Sequence, residues 1–223
     1  DYIAMPVKLS FLKKSLCSAA ALVCLINSSW AKETLPNVEL TGGLLFQIIA
    51  SEFALQRNDP ATAFQTYMQT ARTTKDPRLA KRAFEISDGA RAFEQAGEAA
   101  KLWEDLSPKN SDARLANLLT ELRQGELGES QLTRAKELLA QASTESEKLS
   151  RFKAIVRQAE IGTKQPQQVL AFVRPLASLC KDRKEAALAL SKLYRRTGDS
   201  EQAERYARLA WQQLPDNTSA LLE

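Results

Sequence analysis

Small and apolar residues recur along this chain at helical spacing, and the spacing itself repeats. In "YRRTGDSEQAERYARLAWQQLPDN", Tyr194 to Asn217, the segment between Gly198-Asp199 and Pro215 carries Ala203, Ala207 and Ala210 about one helical turn apart. Just before it, Ala187, Leu190, Ser191 and Tyr194 fall at i, i+3, i+4 and i+7 on one face of a preceding helix. Gly198 suits the left-handed turn that closes a helix, and Asp or Ser suits the start of the next. The pattern predicts two antiparallel helices that meet through small residues, close to the lower limit of helix packing at about 8 Å.

The same order appears upstream. Phe46, Ile49, Ala50 and Phe53, then Ala63, Tyr67 and Ala71, then Pro77, form one unit. Leu79, Ala83 and Ile86, then Ala96, Ala100 and Trp103, then Pro108, form a second. Phe53 to Ile86 and Ala63 to Ala96 are both separated by 33 residues. Two positions agreeing on one period point to a repeat array. Residues 112–142 read as a degenerate third pair broken near Gly125 and Gly128. Phe152, Ile155, Val156 and Ala159, followed by Val169, Val173 and Leu176, read as a fourth, turning at Gly162 to Pro166. The terminal "TSALLE" reads as the start of a further helix, so the array is expected to be truncated or to be covered there by a partner.

These units resemble the tetratricopeptide repeat (TPR), with its large, Leu, small and aromatic positions in helix A and its Ala-rich helix B followed by Pro. The resemblance implies an all-α fold, a right-handed α-solenoid of about five antiparallel helix pairs over residues 43–223. The stretch "LTGGLLFQIIASEFALQRNDPATAFQTYMQTARTTKDPRLAKRAFEISDGARAFEQAGEAAKLWEDLSP" is similar to the opening of envelope TPR lipoproteins of Gram-negative bacteria. Those lipoproteins act as adaptors for carboxyl-terminal processing proteases. That likeness implies a non-catalytic adaptor or scaffold in the cell envelope.

The first residues bear on location. After a short upstream extension, Lys8, Lys13 and Lys14 precede an apolar run from Leu16 to Ile26 and then Ser29-Trp30-Ala31. A basic flank, a short apolar segment and small residues at −3 and −1 predict a secretory signal peptide over 1–31, cleaved after Ala31, followed by a linker over 32–42. Retained, the same segment would tether the chain to a membrane, as in an accessory subunit of a secretion, pilus or polysaccharide-export machine. Cys17 follows Leu16 and Cys24 follows Val23, which disfavours a lipidated cysteine. Cleavage would leave Cys180 as the sole thiol, so no intramolecular disulfide could form.

Composition removes chemistry. The chain has no histidine, which excludes His-based acid-base catalysis, Ser-His and Cys-His pairs and the commonest zinc ligands. Its 31 basic and 27 acidic residues are interleaved instead of gathered in a stripe, which argues against nucleic acid as a partner. No Gly-rich phosphate loop occurs, and no cofactor or metal is expected. By analogy with TPR geometry, the face of helix A turned away from helix B lines a concave groove that takes a peptide or a partner helix. This places Gln47, Ser51 and Leu55, then Leu115, Leu119 and Leu122, then Lys153, Arg157, Lys192, Arg195 and Arg196 along the groove. A basic C-terminal half would suit an acidic segment or a free carboxylate. Trp103, Phe84 and Phe93 read as packing residues, and Trp211 as packing or contact.

Overall fold

The structure, a computed structural model, describes residues 36, 38–39, 41–180 and 184–213. The predicted leader, Pro215 and the "TSALLE" segment lie outside them. Among the described residues there are ten α-helices, one 3-10 turn at Ser178–Cys180 and no strand. They form five antiparallel pairs: α1 (Gly42–Gln56) with α2 (Pro60–Thr74), α3 (Pro77–Gly89) with α4 (Phe93–Leu106), and α5 (Ser111–Arg123) with α6 (Glu129–Ala140). The series ends with α7 (Glu145–Gly162) and α8 (Pro166–Ala177), then α9 (Lys184–Thr197) and α10 (Ser200–Gln213). Most helices pack on their neighbours in sequence, and α7 packs chiefly on α5, the first helix of the preceding pair, which is the organisation of a solenoid.

Local chemistry sets the boundaries. Asp59 and Asp76 cap α2 and α3, accepting from Thr62 N and Arg78 N, and a proline follows each cap at the first helical position. Asn110 and Thr144 cap α5 and α7 in the same way. The turns inside the pairs carry the period too: Asn58, Arg91 and Gly125 have φ of 60°, 58° and 91°, at intervals of 33 and 34 residues. Gly198, with φ 85°, closes α9, and Asp199 Oδ1 accepts from Gln202 N at 3.0 Å.

Packing follows the alanines. Ala63, Ala71, Ala80, Ala83, Ala96, Ala99, Ala100 and Ala113 have no exposed surface, so helices of the first two and a half pairs meet almost backbone to backbone. Tyr67 and Trp103 fill the remaining space, Trp103 lying 6.1 Å from Phe84 between ring centroids. From α5 to α9 the filling changes to Leu118, Leu122, Leu138, Leu139, Phe152, Ile155, Val169, Val173 and Leu176 in one continuous cluster. These larger side chains suit wider helix separations, which is why this region reads as degenerate by the alanine pattern. Phe93 departs from its expected role. It is 43% exposed and carries the Arg123 guanidinium over its ring at 4.1 Å.

One close approach fixes the third and fourth pairs. A Cβ built on Gly162 would lie 1.9 Å from the Leu122 carbonyl oxygen and 2.9 Å from Gly125 N. The ends of α5 and α7 therefore touch through bare backbone. Polar bridges then lock neighbouring pairs. Arg134 donates to Glu104 and to Glu121, each at 2.8 Å, and Asn117 donates to the same two carboxylates, joining α4, α5 and α6. Arg151, buried on α7, donates to the Leu138 carbonyl at the end of α6 and to Ser111 Oγ at the start of α5.

A third bridge joins α1, α2 and α3. Glu52 accepts from Tyr67 Oη at 2.7 Å, from Arg82 Nε at 3.0 Å and from Arg82 Nη2 at 2.9 Å. The Arg82 hydrogen bonds, then the one from Tyr67, hold the Glu52 carboxyl below its ordinary range. Burial, then the bond to Glu52, pushes the Tyr67 phenol up to about 12. Arg82 is raised chiefly by its bonds to Glu52.

Three outcomes follow from this packing. Gly162→Ala should cost about 3 kcal/mol or more in urea unfolding, whereas Gly89→Ala, where an added Cβ meets nothing within 4 Å, should stay within about 1 kcal/mol of the wild type. Arg91→Gly should raise stability by about 0.5–1 kcal/mol, because glycine relieves the left-handed strain at φ 58°. Because the Glu52 pKa is lowered on folding, its contribution is present above the ordinary carboxylate value and lost as pH falls through the folded one. Glu52→Gln should therefore unfold at lower urea than the wild type near neutral pH, and the gap should narrow as the pH falls below the ordinary carboxylate range.

Candidate functional site

Helices α7 and α9 are the first helices of consecutive pairs, and they run side by side. Between them lies a recess of about 310 Å³. Its floor is apolar: Phe152 and Val156 from α7 meet Leu188 and Ala189 from α9. Lys153 and Arg157, one turn apart on α7, and Lys192 on α9 stand around this floor, so both helices bring positive charge to the same opening. Two acids face them. Glu185 lies 3.7 Å from Lys153 Nζ, and Glu160 accepts from Arg196 Nη1 at 2.7 Å. Arg195, exposed one turn beyond Lys192, is not among the residues that line the recess. Three cations, Lys153, Arg157 and Lys192, and two carboxylates, Glu160 and Glu185, line this opening, and Arg196 reaches it through its ion pair with Glu160.

The arrangement favours an anionic guest on physical grounds. Glu185 and Glu160 orient Lys153 and Arg196, and guanidinium forks can engage a carboxylate in bidentate fashion. An apolar floor beneath charged walls adds affinity for an aliphatic side chain next to the anion.

The residues named from the first pair lie elsewhere. Ser51 is 2% exposed and donates to the Gln47 carbonyl at 2.8 Å, so it faces the body of the solenoid and cannot line an open groove. Leu55 is half-buried against the core of α2 and α3. Gln47 is exposed but turned towards α2, where its Oε1 accepts from Thr70 Oγ1 at 3.3 Å. The expected faces of α1 are thus exchanged: Phe46, Ile49 and Phe53, read as packing positions, are exposed. The cause is that α1 is apolar around most of its circumference, so its pattern gives no orientation. In the third pair, Leu122 is fully buried and lines no groove, whereas Leu115 and Leu119 are half-buried against the core.

A larger cleft, about 1160 Å³, opens between α8, α9 and α10 and was not anticipated. Leu170, Ala171, Pro175, Leu190, Tyr194 and Tyr206 line it, and the two tyrosine rings stack 5.4 Å apart. Pro175 inside α8 is the signal in the sequence: it lacks an N–H and frees the Ala171 carbonyl, and both residues border the cleft. Trp211 is half-buried against Ala187 and Ala210, a packing position. Cys180 is buried in the 3-10 turn. Among the described residues no cluster of three or more acidic, His or Cys side chains could hold a metal, and no helix is long and apolar enough to cross a membrane.

Comparison with known proteins bears on the fold. No family model matches the chain. A TPR repeat-containing protein of Pseudomonas aeruginosa, PA4667, is 33% identical over 100 residues, which is 45% of this chain and 17% of that protein. The chain therefore corresponds to a small part of this relative's length. Among solved structures, MamA of Desulfovibrio magneticus RS-1, solved from residue 41 to its end, superposes with a TM-score of 0.53 at 14% identity, covering 81% of this chain and 99% of that one. Another MamA crystal structure gives a TM-score of 0.53 at 10% identity over 76% of this chain and 90% of that one. With the 33-residue period and the stacked helix pairs, these likenesses make the chain a solenoid of TPR-type repeats.

Proposed function

We propose that the chain is a non-catalytic scaffold or adaptor of the cell envelope that holds an acidic segment, or a free terminal carboxylate, of a partner protein in the recess between α7 and α9. The observation that carries this reading is the convergence of Lys153, Arg157 and Lys192 around the apolar side chains of Phe152, Val156, Leu188 and Ala189 on the first helices of consecutive pairs. Two points support a binding role over a catalytic one: the chain has no histidine, and the recess supplies oriented positive charge without a nucleophile beside a base. The leader-like first 31 residues and the resemblance to envelope TPR adaptors support the location and leave the partner open to a protease or a cell-wall enzyme.

The decisive measurement uses a fluorescein-labelled peptide of about ten residues, rich in Asp, Glu and Leu, with a free carboxyl terminus, titrated with the protein at low and raised salt. Wild type should bind, and the affinity should fall with salt. The Lys192→Ala, Arg195→Ala, Arg196→Ala triple variant should bind at least about tenfold more weakly, a loss of about 1.4 kcal/mol, with its helical content unchanged. Equal affinities for the two proteins would reject the recess as the site. Mass spectrometry of the protein recovered from cells tests the location separately. A start at Lys32 is the outcome expected for an exported form, whereas retention of residues 5–31 would favour a membrane-tethered subunit.

A further inference from the structure

The large cleft between α8, α9 and α10 has the form of a trough. Helices α8 and α10 both pack on α9 and leave a gap between themselves. The side chains that α9 gives to it, such as Leu190 and Tyr194, are buried, whereas Ala171 on α8 and Leu209 on α10 are exposed, so α9 is the floor and its neighbours are the walls. Along α8 the lining runs from Gln167 to Ala177, which is about 15 Å of helix. A helix of three turns is about 16 Å long and 10 Å across, a cylinder of roughly 1,250 Å³. The cleft, at about 1160 Å³, has the size of one such helix.

Its polar groups are few and their places are informative. Tyr194 is 8% exposed with its ring stacked on Tyr206, and among the described residues its hydroxyl has no hydrogen-bond partner. A buried hydroxyl is normally satisfied, so this one points to a guest that supplies the missing partner. Pro175 withholds the N–H that the Ala171 carbonyl would otherwise accept, which leaves a second acceptor on the wall.

The two charged side chains of the lining stand at different levels. Because α9 runs opposite to both walls, the start of α10 lies level with the start of α8. Asp199, whose Oδ1 accepts from Gln202 N, therefore marks the end of the trough near Gln167. Arg174 is seven residues further along α8, about 10 Å away, and among the described residues it is in no ion pair. A lipid chain would leave one of these two charges unanswered. A helix with an acid in its first turn and a lysine two turns later answers both, and that order of charges also suits its own dipole. With the acid at Arg174 and the ammonium at Asp199, close to the Tyr194 hydroxyl, such a helix lies antiparallel to both walls.

We propose that this cleft is a second docking site, distinct from the recess between α7 and α9, and that it takes one amphipathic α-helix of a partner protein. The guest is about three turns long, lays an apolar stripe on Leu170, Leu190, Tyr206 and Leu209, and pairs its acid with Arg174 and its lysine with Asp199.

The test is fluorescence anisotropy of a labelled peptide of about fourteen residues, capped at both ends, so that it offers no free carboxylate, and held helical by a bridge on its outer face. It carries Leu at i, i+3, i+4 and i+7, Glu in the first turn and Lys two turns later, and is titrated with the full 223-residue chain. Wild type should bind with a dissociation constant on the order of 10 μM. Arg174→Glu should bind about tenfold more weakly and recover when the peptide's Glu is replaced by Lys. Tyr194→Phe should weaken binding severalfold without lowering the melting temperature, because the hydroxyl holds nothing within the described chain. A wild-type chain that leaves the peptide free at about 200 μM overturns the proposal, as does binding that Arg174→Glu does not change. Binding lost in the Lys192, Arg195, Arg196 triple variant but kept in Arg174→Glu overturns it in favour of the recess. Sedimentation that shows wild type self-associating through Arg174 overturns it in favour of a second copy.

Discussion

The fold depends on how close one helix can come to the next. In the first pairs the contact positions are alanines without exposed surface, and in the middle of the chain the limiting case is Gly162, where even one carbon would collide with the Leu122 carbonyl. Close approach gives dispersion contacts along whole helix faces. It also leaves little freedom to slide, because small residues interdigitate in only one register. The stack of pairs, and with it the placement of α7 beside α9, follows from that restriction.

Because the alanines and glycines occupy the contact faces, charge is left to organise the rest. Two central arginines are consumed by structure. Arg134 ties three helices through two carboxylates, and Arg151 is buried against a helix end and a serine hydroxyl. The basic group at α7 and α9 differs in kind: Lys153, Arg157 and Lys192 line an opening, with Glu160 and Glu185 beside them. A surface pair contributes little to stability, so this group is better understood through what it attracts than through what it holds together.

The repeat period, the helix boundaries and the alanine contacts were legible because each rests on local chemistry: caps at Asp59, Asp76 and Asn110, left-handed turns at Asn58, Arg91 and Gly125, and small residues at helical spacing. The orientation of α1 was not legible. Its segment GGLLFQIIASEFALQ offers apolar residues on almost every side, and the larger ones lie on the outward face. Hydrophobic periodicity orients a helix only when one face is polar. The same limit misplaced Ser51, whose hydroxyl returns to its own helix and is buried without penalty. The cleft beside Pro175 depends on helices from two pairs failing to close against each other, which is a tertiary outcome that no single segment encodes.

Exposed surface has different meanings on α1 and at the recess. An end helix with two exposed phenylalanines would lower solubility unless its surface were meant to be covered. The recess between α7 and α9 has no such conflict: Lys153, Arg157 and Lys192 stand in solvent reach while Phe152 and Val156 beneath them belong to the buried core, so the polar rim needs no cover. A scaffold built this way needs neither a deep pocket nor a strong individual site, and the shallow, charge-lined recess between α7 and α9 is of that kind.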